Sequence, residues 1–294
     1  MIYYFLPSAG LYGGVKVGCQ FTEMLIALGL KAVVALPGGL CPSWFRMTAP
    51  VVDAAAAANS LGASDAVIIT WPPDYERLKT CGARLVNHCQ GTDEAMYPIL
   101  ADPNVEILTC WSQATDFAQK QFNRHPLEVG IFVSDAFYYR GGRKDDNSVA
   151  YMPRRGYPLA RACMRVCGNT DFVPVDGLGE AEVSRILQGA GIFLATSVGE
   201  QFGLPALEAM AAGCLVVSVP VKGGMEYLRD GDNCLMAESG NLADRLRWVT
   251  RPENAVLRAA MRHSALATAW RYRREVQMKR LRDLWLSGQL GWAS

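Results

Sequence analysis

Two carboxylates, Glu200 and Glu208, stand seven residues apart in the stretch GEQFGLPALEAMAAG, residues 199–213. Carboxylate oxygens accept hydrogen bonds from hydroxyl groups. Between them, at Phe202, Gly203 and Leu204, a turn runs into a helix start, and the N–H groups of such a turn and helix N-terminus favour an anion. Phosphate together with sugar hydroxyls is the ligand this arrangement suggests. Upstream stand two adjacent guanidinium groups, Arg154 and Arg155, which suit negative oxygen. Arg161 and Arg165 are helical alternatives to that pair. Other candidates are scattered: His88 at the end of an apolar run, Asp93 in the loop after it, and Gly13-Gly14 ahead of a helical pattern with Lys16 close by. Gly223, Gly224 and Glu226 lie in a loop following an apolar strand.

The elements that must hold these residues alternate. Residues 191–196 read as a buried strand feeding Glu200. Pro205 suits the first turn of a helix and Gly213 its end. Residues 214–219 read as the next strand. At the other end of the chain, residues 2–6 read as a strand, 7–14 as a glycine-bearing loop and 15–28 as a helix, with Val17, Phe21, Met24, Leu25 and Leu28 on one face. Further strands are expected at 31–36, 65–70, 84–87, 105–109, 128–133, 149–152 and 172–175. Helices are expected near 50–60, 113–123, 158–167, 180–188, 242–250 and 252–272. Such alternation predicts parallel sheets covered on both faces. The glycine spacing after the first strand is not G-x-G-x-x-G, so the dinucleotide fingerprint is missing. The polar, glycine-bearing run 140–148 is the expected linker. It divides the chain into an acceptor-side domain at 1–143, a nucleotide-binding domain at 144–270 and a helical segment at 271–294.

Composition narrows the class. The 294 residues are half hydrophobic, ample for two cores. A net charge of +1 gives no electrostatic footprint for nucleic acid. Nine cysteines include no C-x-x-C pair, which fits a reducing, cytoplasmic setting. The start of the chain has no signal-peptide pattern and no window offers the roughly 18 apolar residues of a membrane span. Residues 270–286 mix arginine and lysine with Trp270, Tyr272, Met278, Leu281 and Trp285. This basic amphipathic pattern suits either a helix crossing back onto the N-terminal domain or a peripheral membrane contact.

Glu200 and Glu208, with FGLP between them and EAMAAG after, resemble the E-x7-E signature of GT-B glycosyltransferases, and specifically the retaining family 4. The resemblance continues through GGMEYLRDGDNCLM, residues 223–236, and covers residues 175 to about 243 closely. It implies an α/β chain of GT-B type, two Rossmann-like domains with parallel sheets facing across a cleft. The implied reaction moves a sugar from a nucleoside-diphosphate sugar, UDP- or GDP-linked, to a hydroxyl on a glycan, lipid or small-molecule acceptor, with retention. In that scheme Glu200 contacts the donor sugar, Glu208 the ribose hydroxyls, and the amides of Phe202, Gly203 and Leu204 cradle sugar or diphosphate. His88 reaches the sugar from the N-terminal side. Gly13, Gly14 and Gly224 border the donor, and Asp93 is a candidate for acceptor hydroxyls. The family places an Arg and a Lys several residues apart where this chain has Arg154-Arg155. Guanidinium groups stabilise a leaving diphosphate without a metal, so metal-independent turnover and no cofactor are expected. The rival readings are a sugar-nucleotide epimerase and a non-catalytic GT-B-like subunit; a dinucleotide oxidoreductase is disfavoured by the missing fingerprint.

Overall fold

A computed structural model describes residues 1–292. The chain divides into two compact units, Met1–Ile131 joined by the described residues from Glu275 on, and Phe132–Arg274.

The first unit runs β1 (Ile2–Phe5), α1 (Gly13–Ala27), β2 (Ala32–Leu36), β3 (Val51–Asp53), α2 (Ala54–Ser60), β4 (Ala66–Ile69), α3 (Pro72–Leu78), β5 (Arg84–Cys89), α4 (Tyr97–Ala101), β6 (Val105–Thr109), α5 (Ser112–Phe122) and β7 (Leu127–Glu128). Its strands, among them AVVAL, AVII and VEILT, are rich in β-branched side chains and buried almost throughout. Runs of that kind form parallel sheets covered on both faces. All pairings are parallel, in the order β3-β2-β1-β4-β5-β6-β7. The order reverses beside β1, so the loop from β1 into α1 sits at the crossover where such sheets bind ligands. The helix expected at 50–60 divides into β3 and α2, because the Asp53 carboxylate caps the helix by accepting from the Ala56 N–H at 2.8 Å. The strand expected at 128–133 stops after Glu128: Gly130 adopts a φ of +78°, which ends extended pairing.

The second unit runs β8 (Asp145–Tyr151), α6 (Tyr157–Val166), β9 (Asp171–Pro174), α7 (Glu180–Gly189), β10 (Ala190–Ala195), α8 (Leu204–Ala211), β11 (Leu215–Ser218), β12 (Cys234–Met236), α9 (Leu242–Val249) and α10 (Ala255–Ala269). Its sheet is parallel, ordered β12-β11-β10-β8-β9, with its crossover between β8 and β10. The core beneath is apolar, built on Val149, Ile192, Leu194, Leu215 and Val217 against Leu242 and Leu246. Arg258 of α10, 4% exposed, ties this helix to the sheet through Asp146 at 2.9 Å.

The boundary falls at 131/132, ahead of the linker expected at 140–148. The reason is hydrogen bonding. Tyr139 N–H donates to Ala211 O at 2.8 Å, Gln188 Nε2 to Phe137 O at 2.8 Å, Val133 N–H to Tyr272 O at 2.9 Å and Lys144 Nζ to Leu187 O at 2.5 Å. The polar run is thereby part of the second unit. The last helix, α11 (Arg274–Leu286), follows three residues of 3₁₀ helix at Trp270–Tyr272 and groups from Glu275 on with the first unit. Gln277 and Leu281 are buried, Arg280 pairs with Glu128, and Gly130 leaves room for the Gln277 side chain. Among the described residues no helix is long and apolar enough to cross a membrane.

Candidate functional site

In the second unit the turn after β8 docks onto the turn after β10. Gly156, with φ +86°, passes so close that a Cβ there would lie 2.1 Å from Thr196 O. Thr196 Oγ1 donates to Arg155 O at 3.1 Å and Ser197 Oγ donates to the same oxygen at 3.4 Å. This docking aims Arg155 at the loop that carries Glu200. Its Nη1 donates to Glu200 Oε2 at 2.8 Å, between side chains that are 54% and 20% exposed. An ion pair this open contributes about 0–1 kcal/mol, so an incoming anion or hydroxyl displaces it at little cost. Arg154 turns elsewhere, its Nε 3.2 Å from Asp176 Oδ1, just after β9. Arg161 and Arg165 lie exposed on α6.

The loop from Glu200 into α8 is held by the segment after β11. Lys222 N–H donates to Glu200 O at 3.2 Å, and Gly223 N–H to Gln201 O. Tyr227, 1% exposed, donates its hydroxyl to Gly203 O at 2.6 Å and lies 3.2 Å from Phe202 O. Two glycines make that approach possible. Gly203 caps α8 at φ +81°, and a Cβ on it would stand 2.9 Å from Tyr227 Oη; a Cβ on Gly224 would stand 3.1 Å from Phe202 O. The Phe202 and Tyr227 rings pack tilted at 5.3 Å, Tyr272 meets both edge-on at 6.0–6.1 Å, and Tyr272 Oη donates to Glu226 at 3.0 Å. Pro205 removes one N–H from the first turn of α8. Among the described residues the N–H groups of Gly203 and Leu204 pair with nothing, as expected at an open helix start. Glu208 sits one turn further on, 9% exposed. Glu200, Arg155, Phe202, Gly203, Leu204, Glu208 and Gly224 thus all belong to the crossover end of one sheet.

In the first unit Gly13 and Gly14 open α1, and Lys16, 3% exposed, is buried in the same turn. Asp93 is exposed ahead of a short 3₁₀ turn. His88 corrects the sequence expectation. It is 0% exposed, with Nδ1 2.8 Å from Tyr4 Oη and Nε2 3.1 Å from Cys110 Sγ, and burial lowers its pKa to about 3. Both ring nitrogens are occupied inside the core, so the ring is not presented to a sugar. Strand β5 continues through His88 to Cys89 rather than ending at Asn87, which keeps the imidazole within the sheet. Sequence reasoning missed Gly156, Tyr227 and Asp176. Of these, Gly156 and Tyr227 carried a signal, each standing directly beside a residue already singled out. Among the described residues no three of His, Cys, Asp and Glu gather into a metal-holding group.

Comparison with known proteins follows the same geometry. Residues 158–251, from α6 through α9, match the family model described as glycosyl transferases group 1. Among solved structures, a sucrose-phosphate synthase from Thermosynechococcus elongatus superposes with a TM-score of 0.77 at 12% identity, covering 100% of this chain and 99% of that one. HepE from Anabaena, solved in complex with UDP-glucose, superposes with a TM-score of 0.71 at 15% identity, over 97% and 99%. TarM from S. aureus, solved with fondaparinux, alpha-GlcNAc-glycerol and UDP, gives 0.60 at 15% identity. The chain spans only about half of TarM, 55% of its length, with 75% of this chain aligned. A search of the curated proteins returns no significant match. The fold is GT-B: two parallel-sheet, Rossmann-like α/β units.

Proposed function

We propose that this protein transfers a sugar from a nucleoside-diphosphate sugar to a hydroxyl acceptor, with retention at the anomeric carbon and without a metal. The observation that carries the reading is the Arg155–Glu200 pair at the β8–β10 crossover, at the mouth of α8 and beside the stretch that matches the glycosyltransferase model. On donor binding, Arg155 exchanges Glu200 for the diphosphate and stabilises the charge that grows on it as the glycosidic bond breaks. Glu200, released, accepts hydrogen bonds from hydroxyl groups of the donor sugar. The Gly203 and Leu204 N–H groups hold anionic oxygen at the helix start, and Glu208 takes the ribose hydroxyls. Covalent chemistry by the protein is small; positioning and charge stabilisation carry the rate. That two relatives of this fold were solved with UDP or UDP-glucose supports a uridine donor. Nine free cysteines, seven of them buried, support action in a reducing compartment.

A thermal-shift panel with UDP, GDP, ADP, CMP and the corresponding nucleotide sugars tests the donor. A ligand at about a hundred times its Kd adds roughly 2.7 kcal/mol, several degrees for a chain of this size. One nucleoside diphosphate should raise the melting point, and turnover of its sugar should persist in EDTA with an axial or equatorial product matching the donor anomer. A panel in which nothing shifts would overturn the reading.

A further inference from the structure

Strand β12 is the edge of the second sheet, and at its carboxyl end the turn into α9 is hollowed into a groove of about 590 Å³. Small-molecule sites fall within roughly 300–1,000 Å³. The groove is lined by Asp230 ahead of the strand, by the last residue of β12 and the turn after it, and by one face of α9. In the sheet β12 stands two strands from β10, roughly 10 Å at about 4.8 Å per strand. The groove and the α8 mouth therefore lie at the same end of one sheet as separate places.

A helical stripe builds its wall. Leu242, Leu246 and Val249 of α9 are fully buried in the core, which leaves Asn241, Asp244, Arg245 and Trp248, at i, i+3, i+4 and i+7, along the groove. Asp230 braces the stripe: its Oδ1 accepts from the Met236 N–H at 2.8 Å and from Arg245 Nη2 at 3.2 Å. Arg245 in turn lies over the Trp248 indole, its guanidinium carbon 5.5 Å from the ring centroid. The Arg245 Nε is buried and makes no hydrogen bond among the described residues, a cost that an arginine extended into water would avoid. The arginine is thus committed to holding the indole, which stays 36% exposed.

The charges on this wall largely cancel, Asp230 against Arg245 and Asp244 against Arg247. Glu238 and Asn241 remain, exposed in the turn, their side chains without partners among the described residues. Beside them are Met236 and the Trp248 ring. A carboxylate accepts, a carboxamide gives and takes, and an indole offers a large apolar surface. A ring that carries hydroxyls at its edge and C–H groups on its face matches all three. A phosphate or carboxylate would instead meet Glu238, with the Arg245 charge already paired to Asp230.

We propose that this groove binds a unit of an uncharged saccharide chain, with Trp248 as the stacking platform and Glu238 and Asn241 as hydroxyl partners. The site shares no residue with the α8 mouth and does not rest on the sugar-transfer reading. Within that reading, it retains the remote part of an acceptor or product chain.

The test is titration of maltoheptaose, cellohexaose and chitohexaose into the full chain with UDP in excess, beside spermidine and inorganic phosphate as charged probes. At least one oligosaccharide should bind. Trp248→Ala should weaken it about tenfold or more, as loss of an aromatic anchor does. Glu238→Ala and Asn241→Ala should each weaken it about two- to tenfold, and the affinity for UDP should stay unchanged throughout. If Trp248→Ala fails to fold, the two exposed turn variants decide. The proposal is overturned if no oligosaccharide binds, or if all three variants bind as tightly as wild type, which would place the saccharide elsewhere. Binding of spermidine or phosphate alone overturns it in favour of a charged ligand. Saccharide binding by a protein that turns over no nucleotide sugar leaves the groove standing and overturns only the sugar-transfer reading.

Discussion

The two units solve the same positioning problem with opposite means. In the first, the polar groups beside the ligand-facing end of the sheet are neutral and buried: Tyr4, Asn87, His88 and Thr109 are all 0% exposed. In the second, the corresponding groups are charged and open, with Arg155 paired to Glu200 above a core of Val149, Ile192, Leu194 and Val217. Buried neutral hydrogen bonds fix orientation and couple directly to folding, because an unmet partner in the core costs about 1–3 kcal/mol. An exposed ion pair contributes little to folding and is free to change partners. The first unit therefore presents a rigid polar array and the second an exchangeable one.

Replacing either member of the exposed pair gives the largest effect. Arg155→Ala should lower kcat by about 10²–10³, the range for removing one preorganised stabiliser of developing charge, and Glu200→Ala should fall comparably. Both variants should melt within a few degrees of wild type. A large loss of melting temperature in Arg155→Ala would erase the contrast between the units, since it would make the pair a folding element. Activity measured beside a melting curve separates the two.

The buried array should respond to pH instead. Burial lowers the His88 pKa from 6.5 to about 3. Between those values the unfolded chain takes up a proton that the folded chain refuses. Stability is therefore held above pH 6.5 and is lost as the pH falls through this window, by about 1.4 kcal/mol per unit. Urea denaturation at pH 7.0 and 5.5 reads this directly, because most carboxylates stay ionised across that range. His88→Gln should start less stable but show a much flatter pH dependence. Parallel losses in the two proteins would mean that His88 is not the group that titrates.

What could be read from the sequence follows from how local each feature is. The start and end of α8 were legible at Pro205 and Gly213, since both signals lie in the backbone chemistry of a few adjacent residues. Glu200 and Glu208 were legible because one loop and two helical turns carry them together. The Arg155–Glu200 contact spans 45 residues and the Tyr4–Gln90 contact 86. No periodicity encodes such a pairing; only the strand order does. His88 was misplaced for a related reason. In RLVNHC five of six residues are buried, so a strand covered on both faces gives no alternation to say where it ends or which way a ring points. The boundary between units was sought in composition at 140–148, whereas hydrogen bonds from Val133 and Tyr139 decide it.

The smallest effect probes whether the exchangeable surface of the second unit has a rigid part of its own. Tyr227 belongs by burial to the first unit's way of working: it is 1% exposed, and burial pushes its hydroxyl pKa well above the usual value, so it stays a donor at any ordinary pH. Yet the carbonyl it holds, Gly203 O at 2.6 Å, is the peptide that opens α8. Tyr227→Phe keeps the ring packed against Phe202 and Tyr272 and removes only the oxygen, so the fold should lose about 1 kcal/mol. If that hydroxyl only supports the fold, donor affinity and kcat should track the small stability loss and vanish as effects at low temperature. If it orients the Gly203 and Leu204 N–H groups, nucleoside-diphosphate binding should weaken about fivefold even where both proteins are fully folded, with kcat at saturating donor nearly unchanged. Titration of the bare nucleoside diphosphate well below both melting points distinguishes these outcomes, and an unchanged Kd there would return Tyr227 to the core.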